Sequence, residues 1–250
     1  MMRLQTRRLQ TRRLQTRRRQ TRALLSWSSG KDSAWALHLL RQRGDVEVVG
    51  LLTTTNDEYE RVAMHGVRRE LLKAQALAAE LPLWDVPLPN PCSNEQYEAA
   101  MSGAMRRALA DGIEAIAFGD LFLEDIRRYR EEKLGPAGMT PLFPVWGIPT
   151  DELAKQMLDA GVVAHISCVD PRQVPGELAG RQWDASLLAD LPPSADPCGE
   201  NGEFHTFVSA GPMFQRAIDV RIGEVVERDG FVFADIVKAN DAQDRAASEP

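Results

Sequence analysis

From Ala23 onward the chain alternates strand-like and helix-like stretches, and this alternation limits the possible folds more than any other feature. ALLSW (23–27) is a short apolar run, and helical spacing follows from Asp32 to about Arg43. VEVVGLL (46–52) then reads as strand, 62–80 as helix, LWDVPL (83–88) as strand, 95–110 as helix, EAIAFGD (114–120) as strand and 121–134 as helix. Such a βαβα succession predicts an α/β fold, a parallel sheet with helices on both faces. Ligands on sheets of this kind bind beyond the strand carboxyl ends, where the strand order reverses. SSGKDS, TTTN and FGD all fall at such ends and are expected to line one crevice. Beyond residue 135 the pattern weakens. Residues 139–149 are proline-rich and read as a loop, Thr150 as the cap of a helix to about Ala160, and VVAHISCVD (162–170) as a strand. Residues 192–203 read as irregular, and 217–237 as two strands joined by a turn at Asp229-Gly230. The expected organisation is a leader (1–22), a sheet domain (23–135), a smaller C-terminal α+β part (136–238) and a frayed tail (239–250).

The first strand–helix junction holds three serines, a glycine and a lysine in Ser28-Ser29-Gly30-Lys31-Asp32-Ser33. It is not the P-loop of kinases and GTPases, because Leu25 stands where that loop needs glycine and Asp32 where it needs Ser or Thr. The chemistry of a phosphate site remains: hydroxyls, a close-approach glycine, a positive charge and the free N–H groups of a helix start. A plain N-cap explains one Ser or Asp, not the whole set.

Residues 1–22 contain nine arginines and no acid, in the repeats RLQTR (3–7, 8–12, 13–17) and RRQTR (18–22). The remaining chain carries 21 basic against 36 acidic side chains, a net charge of −15. The leader reads as a nucleic-acid-binding arm or as a solvated low-complexity extension without packed structure, and its perfect repetition favours the extension. A body this acidic argues against RNA or DNA as partner. No apolar run approaches the roughly 18 residues of a membrane span, and no signal peptide is evident. Cys92, Cys168 and Cys198 form no CxxC pair, so reduced thiols and a cytoplasmic setting are expected.

SSGKDS resembles the PP-loop, S-G-G-K-D-S, of the N-type ATP pyrophosphatases, with Ser29 at the second position. Three further segments follow in order: GDLFLEDIRRYREE (119–132), TPLFPVWG (140–147) and CGENGEFHTFV (198–208). Together they resemble the diphthine–ammonia ligase family over nearly all of 23–238. The resemblance implies a HUP-like fold that cleaves ATP between its α and β phosphates. A carboxylate is adenylated, pyrophosphate leaves, and ammonia displaces AMP to give an amide. It implies that Ser28, Ser29, Gly30, Lys31 and Ser33 hold phosphates, with Lys31 also catalytic, and that Asp32 binds Mg²⁺. Thr53 and Gly119 would lie on the nucleotide side. Asp120 would bind Mg²⁺, a ribose hydroxyl or ammonium, with the N-cap of helix 121–134 as the equal alternative. Glu203 and His205 would handle the ammonia proton, and Glu200, Asn201, Gly202 and Thr206 the substrate. Arg127 would hold a substrate carboxylate or phosphate. His65 matches a family position near the nucleotide, or is a helix-surface residue; His38 reads as structural. The implied partners are ATP, ammonium and a carboxylate substrate, with no membrane, and a homodimer is left open. Two other readings stand beside this one: a tRNA-modifying PP-loop enzyme, and a non-catalytic adenine-nucleotide-binding module.

Overall fold

The computed structural model describes residues 19–56, 61–62 and 66–239. The leader through residue 18, His65 and the tail from residue 240 lie outside the described residues. The first sheet is built from β1 (Thr21–Ser26), β2 (Val46–Asn56), β3 (Arg61–Val62), β4 (Leu83–Leu88), β5 (Ala115–Ala117) and β6 (Thr140–Leu142). β2 pairs in parallel with β1 and β4, β1 with β5, and β5 with β6, while β3 adds an antiparallel pair at the end of β2. The chain therefore builds outward from β1 to β2 and β4, then returns to place β5 on the other side of β1. The strand order reverses between β1 and β5, and a ligand crevice is expected there.

The pleat of β1 separates two apolar layers. Ala23 and Leu25 face a core shared with α1 (Lys31–Gln42), α2 (Arg69–Ala78) and α5 (Thr150–Asp159). Leu24 points the other way, with Met105 and Ala108 of α3 (Asn94–Ala110) and Leu134 of α4 (Glu124–Leu134). Helices thus cover both faces, the α/β, HUP-like arrangement that the resemblance implies. α3 opens with a capping box: the Ser93 hydroxyl accepts from Gln96 N–H and the Gln96 amide oxygen from Ser93 N–H.

A second, antiparallel sheet has the order β8 (Phe204–Ala210), β7 (Val163–Val169), β10 (Phe231–Lys238), β9 (Val220–Arg228). A short 3₁₀ turn (Gly176–Leu178) and α6 (Ala185–Asp190) complete the elements. Asp229 and Gly230, both at positive φ (54° and 78°), turn β9 into β10. β7 and β8 contribute Ile166, Phe207 and Val208 to the core that holds α1, so both sheets share one interior.

Several expectations are corrected. The first strand starts at Thr21, so two residues of the expected leader are paired: Thr21 with Val46 and Arg22 with Glu47. The helix expected over 62–80 is confined to Arg69–Ala78. The loop expected over 139–149 contains β6, an edge strand that accommodates Pro141 because its outer side needs no donor. Thr150 is the first residue of α5 and Pro149 its N-cap. Residues 192–203 are irregular, as expected, and lead directly into β8, a strand that had not been assigned.

Candidate active site

A cavity of about 770 Å³ opens at the β1–β5 switch. Its floor is Ser26, Trp27 and Ser28 beyond β1, Leu52, Thr53 and Thr54 in β2, and Phe118 beyond β5. α3 supplies Tyr97, Met101 and Met105, and α4 supplies Tyr129, Arg130 and Lys133. The size, and a lining that mixes apolar side chains with hydroxyls and charged groups, are those of a small-molecule site.

Ser28 brings the SSGKDS loop to the edge of this cavity. Ser28 Oγ and Ser33 Oγ are 3.1 Å apart, and Ser33 also donates to Gly30 O at 3.0 Å. Ser29 is fully buried at φ +70°, a conformation that glycine adopts freely and serine does not. Its carbonyl accepts from Val208 N–H and from the Gln75 amide, each at 3.0 Å. Gln75 also accepts from the Trp27 indole at 2.9 Å and donates to Val208 O at 2.7 Å. A Cβ on Gly119 would stand 2.7 Å from Ser33 N and 2.8 Å from the Asp32 carbonyl carbon. The close approach expected of Gly119 is therefore to this loop's own backbone. A Cβ on Gly30 would meet Thr206 O and Oγ1 at 3.3 Å.

Residues 196–206 fold back on the loop from about 170 positions away in sequence. Thr206 Oγ1 accepts from Lys31 N–H at 3.1 Å. Lys31, expected to hold phosphate, is 1 % exposed, and its ammonium donates to Cys198 O and, at 3.0 Å, to Asp32 Oδ2. The Trp183 and Phe204 rings flank it at 5.6 and 5.5 Å. Burial alone would depress this lysine, but Asp32, Cys198 and Glu200 outweigh it and raise its pKa. Burial raises the Asp32 carboxyl in spite of Lys31.

Glu200 accepts from Leu121 N–H at 2.8 Å, and burial together with Asp32 and Asp120 pushes its carboxyl up to about 7. Asp120 is also raised by burial, against the opposing charge of Arg130 at 3.5 Å. Asp120 is not a helix cap, because α4 begins at Glu124 with Leu123 as N-cap. Glu203, expected as a base for ammonia, is 2 % exposed, and its Oε1 accepts from Asp196 N–H and Asn201 Nδ2, holding the turn together. Asn201 and Gly202 form the outer tip of that turn, with Gly202 at φ +84°. Burial, with Lys31 nearby, brings the His205 imidazole down to about 4, so it is neutral around pH 7. Arg127 turns to Glu131 (2.9 Å) and to the Phe143 and Trp146 rings (4.9 and 4.8 Å); its neighbour Arg130 lines the cavity. His38 lies against Trp35 at 4.6 Å and near Gln42, a helix-surface contact. Cys168 and Cys198 are buried free thiols, Cys168 pushed up to about 12 by burial and Cys198 raised further. Of the arginines in the charged run of α4, Arg130 rather than the preferred Arg127 lines the cavity, and Gln75 and the α3 lining had no signal in the sequence.

Three buried polar atoms at the loop and the adjoining strand have no hydrogen-bond partner among the described residues: Ser29 Oγ, Asp32 Oδ1 and Thr53 Oγ1. Unpaired buried groups are costly, so this set fits a polar, anionic or metal-bearing ligand. Among the described residues no three His, Cys, Asp or Glu side chains are grouped to hold a metal by themselves. No described helix is long and apolar enough to cross a membrane.

Residues 21–139 match the diphthamide synthase N-terminal domain and residues 149–241 the diphthamide synthase C-terminal domain. The chain belongs to the diphthamide synthase family. It is similar to the diphthine–ammonia ligase of Bos taurus, 24 % identical over 231 residues, or 84 % of this chain and 86 % of that protein. The diphthine–ammonia ligase of Schizosaccharomyces pombe is 24 % identical over 219 residues, 80 % of this chain but 36 % of the yeast protein. That of Homo sapiens is 27 % identical over 130 residues, 50 % of this chain and 48 % of the human protein. The two family domains meet between 139 and 149, the segment that carries β6 into α5.

Proposed function

We propose that this chain is an ATP-dependent carbon–nitrogen ligase: a carboxylate is activated as its adenylate, pyrophosphate leaves, and ammonia displaces AMP to form an amide. The observation that carries this reading is the cavity at the β1–β5 switch, because Ser28 joins it to a serine-rich loop where Ser29 Oγ and Asp32 Oδ1 are buried without a hydrogen-bond partner among the described residues. The adenosine moiety suits the apolar part between Met101, Met105 and Phe118. Ser28, Ser29 and Ser33 would hold the phosphates at the helix start. Asp32, with Asp120 beside it, would hold Mg²⁺, which together with a nucleotide takes one or two carboxylates plus phosphate oxygens. When bound, the ion offsets charge on the departing pyrophosphate.

Glu200 is the better placed base for the nucleophile. Its carboxyl sits near 7, where a general base at neutral pH works best, and it faces the Asp32–Asp120 side of the loop. The folded-back 196–206 turn covers the loop and keeps water from an activated acyl group. The relatives named for diphthine and ammonia support a carboxylate of that kind as the acyl partner.

The test is product analysis with ATP, Mg²⁺, ammonium and a panel of carboxylates that includes diphthine. AMP and pyrophosphate formed in step with amide are expected. ADP and phosphate as the sole products would refute the reading.

A further inference from the structure

We infer that Lys31 is a positioning residue that ties Asp32 to the 196–206 turn, and that it does not contact phosphate. This rests on the nucleotide reading above. Lys31 is the first residue of α1, and it grips the distant segment at both ends: its N–H goes to Thr206 and its ammonium to Cys198 O. The side chain is 2 % exposed, set between two aromatic faces and a carboxylate, and Lys31 is not among the residues that line the cavity.

What the ammonium holds gives it a role. One oxygen of Asp32 is bound to Lys31, which leaves Oδ1, buried and unpaired, as the acceptor available to a ligand. On the other side, Cys198 is presented by a turn wound around Asp196, whose Oδ1 accepts from Cys198 N–H at 2.8 Å and Glu200 N–H at 3.4 Å. Glu200 then reaches across to Leu121 N–H. A single buried cation therefore fixes the carboxylate on the metal side and, through the turn, the carboxyl on the ammonia side. Outer contacts of this kind orient ligating carboxylates and set metal affinity.

Lys31→Met, which keeps the stem and removes the charge, separates this role from phosphate contact in the full-length protein. AMP binding without metal should stay within about twofold of wild type. The Mg²⁺ concentration giving half-maximal ATP binding should rise about tenfold or more, the usual range for such a support. Added to Asp32→Asn, the same change should have less than about twofold further effect, since both act through one carboxylate. Without any nucleotide, the 192–203 segment should become cleavable by protease, so the tie is tested even if the nucleotide reading fails. In Lys31→Ala, propylammonium should restore the metal dependence and tetramethylammonium should not. A loss that grows from AMP to ATP at saturating Mg²⁺, with unchanged metal dependence, would assign Lys31 to phosphate and overturn the inference. Wild-type metal dependence in Lys31→Met would overturn it equally. Should Lys31→Met not fold, Lys31→Ala refolded with propylammonium carries the same measurements, and failure of the amine to restore them refutes the tie.

Discussion

Replacing Ser29 by glycine should make the ligand-free protein more stable. Two costs disappear: a serine held at φ +70°, and a buried hydroxyl without a partner. The left-handed conformation costs a non-glycine residue about 1–2 kcal/mol, and an unmet buried hydroxyl about 1–3 kcal/mol. Against them stands the extra chain entropy that glycine loses on folding, about 0.5–1 kcal/mol. Taking the low end of each gain, the net is about 1 kcal/mol, or roughly 2–4 °C in melting temperature for a chain of this size. Ser29→Ala separates the two contributions, because it removes the hydroxyl and keeps the strained backbone; it should melt below Ser29→Gly. The backbone contacts of Ser29 to Val208 and Gln75 survive both changes. Differential scanning calorimetry of the three proteins, with and without ATP-Mg²⁺, reads all of this. If the hydroxyl serves a ligand, the ATP-induced rise in melting temperature shrinks in both variants. A Ser29→Gly protein that melts below wild type without ligand would show that the strain and orphan-hydroxyl reasoning is wrong.

Two further outcomes follow from the same geometry. Glu200 has a folded pKa raised to about 7 from 4.5, so its burial weakens the fold as pH rises from about 4.5 through 7, where it must ionise. ATP-Mg²⁺ affinity should move the opposite way and increase through about pH 7; Glu200→Gln should flatten both profiles, and unchanged profiles would remove Glu200 from the cation side of the site. A variant lacking residues 1–18 should keep the melting temperature of the full chain within about 1 °C, since its composition offers nothing to pack. One beginning at Ala23 should melt lower, because Thr21 N–H pairs with Asp45 O and Arg22 with Asp111 O and Glu114 N–H; equal melting of the two would refute that β1 starts inside the repeat.

The parallel sheet was legible because its helices and strands carry different periods, which local spacing reveals. β6 was hidden by Pro141, which reads as a breaker unless the strand is known to be an edge. SSGKDS and the CGENGEFHT segment lie about 170 positions apart, and their contacts follow from the tertiary fold rather than from any local spacing. The orientation of individual side chains was not legible. Arg127 and Arg130 lie three residues apart on α4, and which one enters the cavity depends on how the helix is rolled against Phe118 and Phe143. Lys31 reads as an exposed cation by type, and its burial follows from partners 167 or more positions away. Gln75 gives no signal in sequence, a glutamine among helix formers, yet it is fully buried.

That glutamine bears on how the protein matures. Its amide joins the Trp27 indole, the carbonyl of the strained Ser29 and the backbone of β8, so one side chain braces parts of both family domains. Until β8 is laid down, Ser29 O lacks Val208 N–H, Lys31 N–H lacks Thr206, and the lysine ammonium lacks Cys198 O. An N-terminal portion emerging alone during synthesis would hold the whole nucleotide loop sequence without the contacts that keep its backbone in the left-handed turn. The loop would then take its final shape late, after the last strands are made, and a C-terminally clipped chain would carry the SSGKDS sequence without that shape.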